Sequence, residues 1–229
     1  MKVQLVGKTD YEMKFILEDV QFPFANELRR IMMTEIPTMA IEYVDFVKND
    51  SALNDEIIAN RLGQMPLKFD KRGYNVTKEC KCDGKGCSLC QVKMVLKKKG
   101  PGVELFEGQE IELEAVATLG FGKEHLKWQG AVVGYSNLFE AKSKAGQMKL
   151  CRNHLSHVKD VRGIEVQPVE CALCKSINED GDEFKPVNES FLFSVETASG
   201  LNADEIVADS AKILEEKMKE FDKALKKLK

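Results

Sequence analysis

The chain has 229 residues, 43% of them hydrophobic, enough for one large domain or two small ones around a real core. Lysine and arginine number 34 against 37 aspartates and glutamates, a net charge of −3, which argues against a free nucleic-acid binder and makes any basic patch local. No apolar run approaches the roughly 18 residues of a transmembrane helix, and the start Met1-Lys2-Val3-Gln4-Leu5 has no secretory apolar core or cleavage site, so a cytoplasmic chain with no membrane partner is expected.

Residues 2–5 and 12–17 alternate in part and predict two short strands joined by a turn at Lys8-Thr9-Asp10. Pro23 suits the first turn of a helix. Phe24, Leu28, Ile31 and Met32 then fall at i, i+4, i+7 and i+8, one apolar stripe. Arg29 and Arg30 lie off or beside it, and Pro37 ends the helix. A strand follows at 41–47. Residues 51–62 predict a second short helix with Leu53, Ile57, Ile58 and Leu62 on its face and Gly63 as C-cap.

Residues 92–98 predict a strand, and Lys97-Lys98-Lys99 runs into a turn at Gly100-Pro101-Gly102. Ile111, Leu113, Ala115 and Ala117 alternate with Glu110, Glu112 and Glu114, the pattern of a half-buried antiparallel strand with a carboxylate face. Residues 140–190 carry Gly146, Gly163, Pro168, Gly181 and Pro186 and read as strands and loops, with a tight turn at Glu179-Asp180-Gly181-Asp182. Another strand is expected at 190–195.

The last element is the clearest. Asn202 and Glu205 make a capping-box-like start. Ile206, Val207, Ile213, Leu214, Met218, Phe221, Leu225 and Leu228 then recur at helical spacing. Such a helix spans about 25 residues, or ~37 Å. It either covers the sheet of its own domain or outreaches that domain and packs on a partner.

Seven cysteines in a reducing compartment suit metal ligands or free thiols better than disulfides. Cys80, Cys82, Cys87 and Cys90 have the spacing C-x-C-x₄-C-x₂-C, and Gly84 and Gly86 let the loop fold back on itself. Four thiolates suit a closed, structural Zn²⁺ site, with Lys81 and Lys85 offsetting part of the charge. An iron–sulfur cluster also takes four cysteines, but the tight span favours one zinc. Free thiols or disulfides are the plainer alternative. The second group is Cys151, Cys171 and Cys174, where Cys171-Ala172-Leu173-Cys174 has half-site spacing. A complete site there needs His154 or His157 as fourth ligand; otherwise the group is a degenerate or redox-sensitive pair.

No phosphate-binding glycine loop, dinucleotide fingerprint, H-E-x-x-H pair or nucleophile elbow occurs. His125, His154 and His157 are the three histidines, and isolated histidines are usually structural. Glu104, Glu107 and the carboxylates near Asp180 read as loop charges. No catalytic residues are expected in this chain.

The residues nevertheless resemble a known family. Phe24-Ala25-Asn26-Glu27-Leu28-Arg29-Arg30-Ile31-Met32-Met33-Thr34-Glu35-Ile36-Pro37-Thr38-Met39-Ala40-Ile41, Asn60-Arg61-Leu62-Gly63-Gln64-Met65-Pro66-Leu67 and His125-Leu126-Lys127-Trp128-Gln129 are similar to segments of a family of archaeal RNA polymerase subunits. That family is the counterpart of the third-largest subunit of eukaryotic RNA polymerase II and of the bacterial alpha N-terminal domain. The resemblance covers essentially the whole chain.

The resemblance implies an α+β fold. Residues 1–47 and 189–229 would form a discontinuous dimerisation domain of antiparallel sheet, helices and a long C-terminal helix. Residues 48–188 would form an inserted, mostly-β domain carrying both cysteine groups. It further implies a heterodimer with subunit L, on which small subunits N and P and the large catalytic subunits assemble, with little direct contact to DNA. Phe24, Leu28, Ile31, Met32, Ile213, Leu214, Met218, Phe221 and Leu225 would form the interface. Arg29 and Arg30 would contact the second-largest subunit, or else merely solvate their helix. The first cysteine group resembles the zinc loop of the eukaryotic counterpart with one extra residue between its pairs. Many archaeal relatives resemble ferredoxins in a further iron–sulfur domain, for which three cysteines here fall short.

The leading reading is thus a non-catalytic assembly subunit of RNA polymerase. A stand-alone zinc-binding nucleic-acid protein is the alternative, motivated by the cysteine loop with Lys81, Lys85 and Lys97–Lys99. An iron–sulfur electron carrier is the third.

Overall fold

The computed structural model describes every residue except 83, 103–104, 142–147, 152–163, 168–183 and 229. The expected turn at 179–182, together with Gly146, Gly163, Pro168, Glu104, His154, His157, Cys171 and Cys174, lies outside the described residues, as does the side chain of Cys151.

The elements run β1 (Lys2–Lys8), β2 (Glu12–Glu18), α1 (Phe22–Thr34), β3 (Pro37–Asn49), α2 (Asp55–Gly63), β4 (Gln91–Lys99), β5 (Glu110–Phe121), β6 (Ala131–Ala141), β7 (Met148–Cys151), β8 (Ile164–Gln167), β9 (Phe184–Thr197) and α3 (Ala203–Lys226). One sheet has the order β1-β2-β9-β6, a second β3-β5-β4, and β7 and β8 form a parallel pair. The class is α+β, as the family resemblance implies. The chain packs as two compact units. One joins Met1–Arg29 to Val133–Glu196; the other joins Arg30–Val132 to Thr197–Lys229.

In the first unit β2 pairs antiparallel with both β1 and β9. Phe15, Leu17, Leu138, Phe191, Phe193 and Val195 are buried. Phe15 stacks on Phe193 with centroids 5.1 Å apart, and Tyr135 on Phe193 at 5.3 Å. Aromatic pairs of this kind add to plain area burial.

In the second unit β5 pairs antiparallel with β3 and β4. Its period-two pattern buries Ile111, Leu113, Ala115, Ala117 and Leu119 on one face. Against this face pack Met39 and Ile41 of β3, Ile58 and Leu62 of α2, and Leu67, Phe69, Tyr74 and Val76 of the segment that follows. Trp128 closes the end of the sheet. Its Nε1–H donates to the Thr118 carbonyl at 3.2 Å, and its own carbonyl accepts from Thr38 Oγ1 at 2.8 Å. The ring lies against bare Gly120, where a β-carbon would stand 2.3 Å from it.

Two local expectations are corrected. The second helix begins at Asp55, not at Ser51. Asn49 and Ser51 bond to each other and to the Leu53 carbonyl, and such short polar side chains compete with helix formation. Gly63 is the last helical residue, not a left-handed cap: Gln64 caps the end with right-handed φ of −87°. The long last helix starts at Asn202 with a capping box, its backbone N–H donating to Glu205 Oε2 at 2.9 Å. Ala203, Ile206 and Ser210 bury its first half.

Candidate metal centre and pairing surfaces

The cysteine loop lies between residues 77–79, a single 3-10 turn, and the start of β4. It is built of turns, and Gly84 and Gly86 both sit at φ of +78°, which glycine adopts without a β-carbon clash. The four Sγ atoms lie within 4.8 Å of one another. Cys80–Cys87 and Cys82–Cys90 are 3.6 Å apart, and Cys87–Cys90 3.8 Å. A tetrahedron with zinc–sulfur arms of 2.3 Å has edges of about 3.8 Å. The sulfurs thus converge on a point of single-ion size. A four-iron cluster would attach each thiolate to a different iron and spread them.

The electrostatics point the same way. Burial pushes the Cys90 thiol up to about 12. The backbone N–H of Cys82 favours the Cys80 thiolate, but burial and the thiol neighbours outweigh it and raise that group. Burial also opposes the Cys82 thiolate. Hydrogen bonds from the Cys80 and Cys90 thiols and the Gly86 backbone overcome it and bring Cys82 down to about 7. One charge can be held there without help. Four require a cation at their centre. The donor set and geometry therefore fit a divalent, sulfur-loving ion. Among the described residues this is the one such grouping of ligand atoms.

The remaining candidate residues fall as follows. Leu28, Ile31 and Met32, expected at a partner interface, are 6%, 0% and 0% exposed, so the chain's own core takes that stripe. Phe24 at 36% and Phe22 stay exposed on the same helix. Arg30 is exposed, and Arg29 Nη2 donates to Asn26 Oδ1 at 3.2 Å. On α3, Ile213 and Leu214 are half-buried, while Met218, Phe221 and Leu225 are 58%, 59% and 46% exposed, and Leu228, just past the helix end, is 84% exposed. Met218, Phe221 and Leu225 form one stripe at helical spacing, which Leu228 continues past the helix end. Lys217, one position before the stripe, reaches back to Glu35 Oε1 at 2.6 Å.

Glu110 and Glu112 on β5 are not merely solvated. Lys48 Nζ lies 2.9 Å from Glu110 and Lys97 Nζ 2.7 Å from Glu112, with Lys99 3.7 Å from Glu110. The hydrogen bond from Lys48 and its charge hold the Glu110 carboxyl below its ordinary range. Two of the three lysines at 97–99 are thus turned to their own sheet. His125 is structural: its Nδ1 accepts the Lys127 backbone N–H at 3.1 Å, and its ring meets Trp128 edge-on.

A sequence model of the family described as the RNA polymerase Rpb3/Rpb11 dimerisation domain matches residues 14–218. The chain belongs to this dimerisation-domain family. Subunit Rpo3 of DNA-directed RNA polymerase from Pyrococcus furiosus is 33% identical over 100% of this chain and 98% of its own length. The Archaeoglobus fulgidus Rpo3 is 32% identical over 99% and 98%, and that of Methanosarcina acetivorans 31% over 96% and 97%. The reading of the chain as a non-catalytic assembly subunit of RNA polymerase agrees with its place in the Rpb3/Rpb11 family.

The match to the dimerisation-domain family runs from β2 to Met218, so it includes the cysteine loop and most of α3. Sequence reasoning missed one cluster inside that span. Lys71 Nζ lies 2.5 Å from Asp209 Oδ2 and 3.5 Å from Glu205 Oε1. The acidic pair one turn apart on α3 was its sole signal in the sequence.

Proposed function

We propose that this chain pairs with a smaller homologous subunit, subunit L, and that the pair is the platform on which small subunits N and P and the large catalytic subunits assemble in the cytoplasm. The family match supports this. The observation that carries it is the bare stripe of Met218, Phe221 and Leu225 on α3 with Leu228 just past its end, an exposed apolar row of the kind that marks an interaction surface. Phe22 and Phe24 on α1 add a second exposed apolar site. Leu28, Ile31 and Met32 act beneath, keeping α1 rigid, and make no direct contact with the partner. Residues 1–47 and 189–229 supply the pairing, and 48–188 the insertion. Arg30, exposed on α1, is the basic contact offered to the second-largest subunit, with Arg29 beside it.

Cys80, Cys82, Cys87 and Cys90 hold one Zn²⁺. The ion there closes the loop and leaves no position for a reacting water. Its role is structural.

Co-expression tests the pairing. The chain alone should self-associate, and co-expression with subunit L should give a stable, soluble pair. Phe221→Asp should weaken the pair at least 30-fold in Kd, the effect of a central interface residue, with the chain's own melting temperature unchanged. A well-behaved monomer with no affinity for subunit L refutes the reading.

A further inference from the structure

Between α2 and the cysteine loop, residues 67–79 form a strap without regular structure until its last turn. One end is tied to the start of α3. A β-carbon on Gly200 would stand 1.9 Å from the Leu67 carbonyl, so the two backbones touch. Next, Lys71 bridges Asp209 and Glu205, carboxylates on successive turns of α3. The other end is tied to the cysteine loop. The Asn75 N–H donates to the Leu89 carbonyl at 2.7 Å, and the Cys80 N–H to the Thr77 carbonyl at 3.4 Å.

Between these ties Phe69, Tyr74 and Val76 pack on the β5 core, and the bend is closed by the Gly73 N–H donating to the Asp70 carbonyl at 3.1 Å. Thr77 Oγ1 is buried with no hydrogen-bond partner, a cost that neighbouring contacts must offset. Beyond Lys71 a cavity of about 410 Å³ opens between strap and helix, lined by Tyr74, Val76 and Glu79 on one side and Asp209, Ile213 and Glu216 on the other. Strap and helix are therefore joined at discrete points, not along a continuous packed face.

The cysteine loop has no strand or long helix of its own to keep it closed. In such loops the binding energy of the ion is the folding energy. If the ion leaves, the Leu89 carbonyl moves and the Asn75 anchor goes with it, leaving the strap to Leu67, to Lys71 and to the packing of Phe69, Tyr74 and Val76 on the β5 core.

We propose that ion binding at the cysteine loop and the seating of the first half of α3 are thermodynamically linked through strap 67–79, with Lys71 as the positioning residue. For its functional meaning this rests on the pairing role of α3; the linkage itself is internal to one chain. Linkage is reciprocal. Zinc therefore steadies α3, and a steady α3 tightens the hold on zinc.

The test uses the full chain, free or in complex with its partner, with zinc added. Amide exchange is read over 203–213, and zinc transfer to a chromophoric chelator is followed in the same samples. Removing zinc should speed exchange at 203–213 about tenfold or more. Lys71→Met should produce faster exchange with zinc still present and should lower zinc affinity about five-fold, the low end of coupling between sites. Lys71→Arg keeps the bridge and should behave as wild type. Unchanged exchange at 203–213 on zinc removal, or unchanged zinc affinity in Lys71→Met, overturns the linkage. Capture of subunit L, scored separately with Phe221→Asp, fails only if the pairing reading fails.

Discussion

Asp209 is pulled in two directions. Its partial burial opposes the carboxylate, and hydrogen bonds and charge from Lys71 and Lys212 overcome this, holding the group below its ordinary range. The sign of its effect on stability follows. A carboxyl with a depressed folded pKa stabilises the fold above the unfolded value of about 4 and loses that contribution as pH falls through the folded value. Lys71→Met should lower the melting temperature at pH 7, and the gap from wild type should narrow steadily below about pH 4. A gap that stays constant down to pH 2 would mean that Lys71 acts by packing alone. At Gly120 the constraint is steric. Trp128 occupies the space a β-carbon needs, and the residue is fixed by hydrogen bonds at both its Nε1 and its carbonyl. Gly120→Ala should cost about 1–3 kcal/mol, the range of overpacked cores, read by urea denaturation.

Among the elements, α3 was the most legible, because its polar start and apolar stripe are both local patterns. Asn202→Ala should remove the cap at about 1 kcal/mol, a fall in melting temperature of about 2–4 °C for a chain of this size. The strands β2, β4, β5 and β9 were legible for the same reason, and so was the cysteine loop, whose four thiols lie within eleven positions. What a stripe is buried against was not legible. The periodicity of α1 named Leu28, Ile31 and Met32 correctly as apolar-facing residues, yet spacing says nothing about whether the cover comes from the same chain or another. The start of α2 failed because Asn49 and Ser51 spend their side chains on nearby backbone, a competition that hydrophobic periodicity does not register. The Lys71 bridge failed because its partner Asp209 is 138 positions away, and no local pattern encodes such a distance.

At the scale of the whole molecule, the cysteine loop and the bare stripe of α3 belong to one compact unit but lie apart in the chain, and strap 67–79 links the loop to the first half of α3. That separation makes a graded outcome, which Cys82→Ser combined with Cys87→Ser should show. Two of four ligands are lost, so the ion is lost and residues 78–92 loosen. The strap keeps Leu67 at Gly200 and Lys71 at its two carboxylates, so α3 stays in place at lower stability. Met218, Phe221 and Leu225 lie beyond Asp209, where Lys71 meets α3, and beyond the cavity that Glu216 lines, and their exposed surface does not change. Pairing with subunit L should therefore persist with Kd raised only several-fold, while amide exchange rises sharply over 78–92 and moderately over 203–213. Complete loss of pairing would mean that the loop touches the partner directly or that the strap has no independent hold on α3. Unaltered exchange over 203–213 would instead leave pairing untouched and remove the strap as a link between ion and helix.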